Sequence, residues 1–147
     1  MGTTFLGDIQ SGAVMGDEVS HASAASDGAN AAIRAIGANN WRAPQNITIV
    51  SAWWEATGAD SAAANASSYR TLQIINAGSS GTGTTALASL NLTASLGSNT
   101  QRAMTMATTP SASTGEVIAA SHLTVGGAHS AGTVLVAGQF RFAYRPI

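Results

Sequence analysis

Tyr69-Arg-Thr-Leu-Gln-Ile-Ile-Asn-Ala-Gly-Ser-Ser-Gly-Thr-Gly-Thr-Thr-Ala-Leu-Ala-Ser-Leu-Asn-Leu-Thr93 decides the fold class. Side chains alternate across a strand with period two. On the first arm Arg70, Leu72 and Ile74 therefore share one face, against Tyr69, Thr71, Gln73 and Ile75. On the second arm Leu90 and Leu92 face one way while Ser89, Asn91 and Thr93 face the other. Between the arms, Asn76 to Gly83 supplies residues that accept positive φ or hydrogen-bond their own backbone, as a connection between paired strands requires. The stretch reads as a β-hairpin with a wide glycine-rich tip.

Outward from this hairpin the same alternation recurs. Ile47, Ile49, Ser51 and Trp53 oppose Thr48, Val50, Ala52 and Trp54, and both faces are largely apolar, which predicts a strand buried on both sides. Arg102 to Ala107 forms a short strand carrying Met104 and Met106. Thr108 to Gly115 reads as a turn and Val117 to Leu123 as a strand. In the last segment Val134, Val136, Phe140, Phe142 and Tyr144 share a face, with Gly138 placed to mark a bulge or a close backbone approach. Ala31 to Ile36 fits a short helix or a strand; the β character of everything downstream favours a strand. Pro44 drives Ala43 into an extended conformation. Several strands, turn-rich spacers and no strong helix predict an all-β antiparallel β-sandwich, jelly-roll-like, over residues 31–147.

Residues 1–30 differ. Five glycines interrupt every periodic run, and the large apolar residues are few. This segment is expected to be an extended N-terminal arm that docks on a partner through Phe5, Leu6, Ile9, Val14 and Met15.

Composition narrows the function. Charged residues make up 9% of the 147-residue chain, which has a net charge of −1, against about 25% charged residues in an average soluble domain. There is no lysine, so a P-loop and Schiff-base chemistry are excluded. So little field disfavours nucleic acid as a partner. The weakly charged Ala/Ser/Thr/Gly composition fits either a surface covered by self-association or the compositional drift of a GC-rich genome, which also replaces Lys by Arg. There is no cysteine, no apolar run long enough to span a membrane, and no evident signal peptide.

Apparent catalytic motifs fail on context. Ala128-His-Ser-Ala-Gly132 matches the alanine variant of a hydrolase nucleophile elbow, but no acid or histidine follows Ser130. Gly81-Thr-Gly-Thr-Thr-Ala86 matches a dinucleotide loop, yet strand alternation follows where a helix must start. His21, His122 and His129 match no zinc spacing. Glu55 beside Trp53 and Trp54 invites a glycosidase reading; the simpler reading makes the tryptophans core and rim of one strand, with Glu55 at its solvated end. No catalytic, cofactor-binding or metal-binding residue is assigned, and no cofactor is expected.

Four segments carry a resemblance: Trp41-Arg-Ala-Pro-Gln-Asn-Ile-Thr-Ile-Val-Ser-Ala-Trp53, Tyr69 to Thr84, Gly115-Glu-Val-Ile118 and Gly132-Thr-Val-Leu-Val136. Across residues 40–147 the chain resembles capsid decoration (cement) proteins of tailed bacteriophages and related fibre or knob domains. That resemblance implies a non-enzymatic virion protein on the capsid exterior. It implies a homo-oligomer, often a trimer, bound to the major capsid protein at capsomer junctions. The alternative is a glycan- or receptor-binding domain of a head or tail fibre, with an exposed Trp41, Trp53 or Trp54 stacking on sugar rings.

Overall fold

The computed structural model describes residues 15–17, 32–35, 41–56, 69–94, 100–125 and 138–147. Among these the chain is all β: β1 (Met15–Asp17), β2 (Ala32–Ala35), β3 (Ile47–Ala56), β4 (Tyr69–Gly78), β5 (Thr85–Leu92), β6 (Gln101–Ala103), β7 (Thr105–Met106), β8 (Ser111–Ala112), β9 (Val117–Val125) and β10 (Gly138–Pro146). One sheet runs β1-β10-β3-β6, with β8 also on β3; the other runs β2-β9-β4-β5-β7. Every pairing is antiparallel.

This order has a simple origin. With β7 and β8 set aside, the eight remaining strands pair first with last, second with seventh, third with sixth and fourth with fifth. Such a long double ribbon, rolled so that β10 also meets β3 and β9 also meets β4, is a jelly roll. A chain that would otherwise expose a long ribbon face thereby buries it against itself. Of the outermost strands, β6 spans three residues and β7 two, which leaves little edge there for pairing with other chains.

One hydrophobic cluster spans both sheets. Ile47, Ile49, Ala52 and Trp54 of β3 and Phe140, Phe142 and Tyr144 of β10 meet Leu72, Ile74, Leu87, Ala88, Leu92, Ile118 and Ala120 of the opposite sheet. Rings dominate the first layer: Trp54 and Phe140 lie 4.8 Å apart between centroids, and Trp41 stands edge-on to Phe142 at 5.4 Å. Arg70 shares the inward face of β4, as alternation predicts, and is buried and engaged there. A second, smaller cluster of Ile75, Ala77, Val117 and Ala119 is buried on the far face of β4 and β9.

Four expectations need correction. β3 is not buried on both sides. Its register on β10 shifts, Ser51 facing Ala143 but Ile49 facing Tyr144, so Val50 is an extra residue. That bulge puts Ile47 and Ile49 on the same side as Ala52 and Trp54, whereas uninterrupted alternation would separate them. Gly138 marks no register shift; it faces Ala56 in step, and the irregularity sits at Val50. Residues 102–107 are not one strand. β6 lies in one sheet and β7 in the other, with the buried Met104 between them donating its N–H to Ala52 O at 2.9 Å. The segment 108–115 is more than a turn, because β8 returns to pair Ala112 with Ile47 and Ser111 with Thr48.

Residues 32–35 form a strand, as the β reading of that segment expects. Within the stretch read as an arm, Met15–Asp17 pairs with β10.

Candidate functional site

Of the residues expected to anchor an arm, Met15 opens β1 opposite Tyr144; Phe5, Leu6, Ile9 and Val14 lie outside the described residues. Ser130, His21 and His129 also lie outside them. The Gly81–Ala86 motif is the tip of the β4–β5 hairpin. Gly81 takes φ +77°, its N–H reaches Gly78 O at 3.3 Å, and β5 begins at Thr85. At Gly83 an added Cβ would lie 3.0 Å from the Ala77 carbonyl carbon. The glycines serve a tight turn and a close backbone approach.

Among the described residues, two polar constellations emerge toward opposite ends of the sandwich. The first gathers where β4, β9 and residues 42–46 come together. Ser113 to Glu116 is a turn closed by Glu116 N–H to Ser113 O at 3.1 Å, with Gly115 at φ +82° as a type II turn requires at its third position. The Glu116 carboxylate accepts from Ser113 N–H and from Asn76 Nδ2, each at 2.7 Å. The Ser113 N–H first and the Asn76 amide second hold its pKa below the ordinary 4.5, partly offset by desolvation. Asn76 Oδ1 meanwhile accepts from Gly78 N–H at 2.8 Å. Arg42 Nη1 donates to Gly115 O at 2.7 Å and Ser79 O at 3.2 Å, and Asn46 Oδ1 accepts from Thr114 N–H at 3.0 Å. This network ties three segments far apart in sequence, with both bonds to the Glu116 carboxylate converging on Oε2. It fastens the fold.

The second lies on the outer face of the β10-β3-β6 sheet. Directly opposed residues of neighbouring strands share a face. Arg141, Trp53 and Ala103 form one row across three strands, and Gln139, Glu55 and Gln101 form the next. Arg141 Nη2 lies 3.2 Å from Glu55 Oε2 and donates to Gln139 Oε1 at 3.2 Å. Trp53 is half-buried in the middle of this grid.

The three tryptophans thus divide. Trp54 is core and Trp53 is rim, with Glu55 beside it, as the simpler reading of that motif holds. Trp41 is half-buried, its ring 5.4 Å from those of Phe142 and Tyr144. Glu55 and Glu116 sit at opposite ends of the sandwich and do not form an acid pair. Strand alternation marks which residues face outward, but Arg141, Gln139 and Gln101 join Trp53 only through cross-strand register, which no local pattern carries.

No family model matches the chain, and no curated protein matches it. Among solved structures it is similar to a chain described as "Structure of infectious bursal disease virus Gx strain". The two are 14% identical with a TM-score of 0.34, the match covering 89% of this chain and 30% of that one. The present chain spans less than a third of that chain's length.

Proposed function

We propose that this protein is a non-enzymatic structural component of a tailed-phage virion, a decoration protein that binds the outer capsid as a homo-oligomer and stabilises the head. The observation that carries the reading is the jelly-roll strand order, an architecture recurrent in viral capsid and lectin domains. It comes with a nearly neutral chain of 9% charged residues. A surface of this kind has little charge repulsion to keep copies apart, and several copies acting together raise one another's effective concentration. Residues 1–14, ahead of β1, serve as the docking segment, with Phe5, Leu6, Ile9 and Val14 as its apolar anchors.

The test is co-sedimentation with capsids lacking the protein. Saturable binding at a stoichiometry equal to the number of capsomer junctions supports the reading, and removing residues 1–14 is expected to abolish it while leaving the melting curve intact. Failure of the full chain to bind would remove the proposal.

The fibre-type alternative, glycan recognition, is favoured by one observation, the outward-facing Trp53 among polar neighbours.

A further inference from the structure

We infer that the outer face of the β10-β3-β6 sheet is a saccharide-binding surface for neutral sugars, centred on Trp53. The inference deepens the glycan reading and is independent of capsid binding. A pyranose ring offers an apolar C–H face and a rim of hydroxyls that both donate and accept. The grid supplies the complement of each. Trp53 is half-buried on this face and supplies its aromatic side chain, and Ala103, directly opposite it on β6, is small and exposed. Planar polar groups lie beside the ring, Arg141 in its own row and Gln139, Glu55 and Gln101 in the next: the guanidinium is a donor, the carboxylate an acceptor, and the amides are both. Arg141 is held between Glu55 and Gln139 at 3.2 Å from each, so the polar row is ordered before a ligand arrives and less freedom is lost on binding.

Charge and apolar area select the ligand class. The one acid and one base of the grid form an ion pair with each other, leaving no net charge to attract sulfated or sialylated glycans. A protein partner would need a contiguous apolar patch for its interface core. Among the described residues the exposed large hydrophobics are Leu123 and Ile147, and neither belongs to the grid. A small ligand with a hydroxyl rim fits better than a second protein.

The experiment titrates the full chain with maltohexaose, cellohexaose, mannohexaose and chitotriose, following tryptophan emission and heat, with heparin as the anionic comparison. A saturable emission shift with at least one neutral sugar is expected. Trp53→Ala should weaken it about tenfold or more, as loss of a central aromatic anchor does. Gln101→Ala, an exposed edge position, should weaken it without moving the melting temperature, which keeps the test sound if Trp53→Ala folds poorly. The inference is overturned by no saturable response to any neutral sugar, by affinity unchanged in both variants, or by binding of heparin alone. A change of sedimentation coefficient in Trp53→Ala without any sugar response would assign the face to self-association and also overturn it. Capsid co-sedimentation is read separately, so either reading can fail alone.

Discussion

Replacing Glu116 by glutamine tests how the hairpin, the 113–116 turn and the edge segment at Arg42 are fastened. The wild-type carboxylate accepts two hydrogen bonds of 2.7 Å, from Ser113 N–H and Asn76 Nδ2. Hydrogen bonds to a charged group contribute about 1.5–3 kcal/mol when well buried, and partial exposure at this turn reduces that by solvent screening. Glutamine retains one neutral acceptor. The expected loss at pH 7 is about 1 kcal/mol, a fall of roughly 2–4 °C in Tm for a chain of this size. The pH dependence gives the sharper signature. Because the folded carboxylate titrates below its ordinary 4.5, its contribution is fully present above that value and disappears as pH falls through the folded pKa. Urea unfolding at fixed protein concentration should therefore show wild type and Glu116→Gln separated at pH 7 and converging in acid, as pH falls through the lowered folded pKa. A double-mutant cycle with Asn76→Ala should return a favourable coupling at pH 7 that is lost in acid. Equal destabilisation at both pH values would show that packing, not the ionised carboxylate, holds the turn, and the reasoning would be wrong.

Other outcomes follow from the same structure. Phe142→Ala removes a buried ring, only 1% exposed, that contacts Trp41 and Tyr144; it should cost about 3–5 kcal/mol, read as a large fall in urea midpoint or as insoluble protein. Gly115→Ala forces a side chain to φ +82° with open space around it, so the cost is conformational, about 1–2 kcal/mol, and thermal melting should show it without altered near-UV dichroism. Deleting Val50 removes the extra residue opposite Ala143 and Tyr144 and leaves Ile47, Ile49, Ala52 and Trp54 in unbroken alternation. That variant should stay folded with a smaller loss than Phe142→Ala, whereas a strand without a bulge would turn both isoleucines outward and unfold.

The fold class was legible in the chain because it depends on period-two alternation, a local property. Arg70, Leu72, Ile74 and Leu92 face inward as their spacing predicts, as do Phe140, Phe142 and Tyr144. The tip of the β4–β5 hairpin was equally readable, since positive φ at Gly78 and Gly81 is a demand that glycine meets at little cost. Chemistry was legible chiefly as motifs that failed for want of context.

Tertiary structure decided the rest, and the reason is register. Whether Val50 is paired or bulged depends on how β10 lies beside β3, so the side of the sheet on which Ile47 and Ile49 sit is set by a partner about ninety residues away. The split of residues 101–106 between two sheets is likewise fixed by Ala52 and Leu87, whose carbonyls receive Met104 and Ala107 N–H. The juxtaposition of Trp53 with Arg141 and Gln101, and of Asn76 with Glu116, arises in the same way. Alternation tells each strand which side chains turn outward; only the pairing of strands tells those side chains whom they meet.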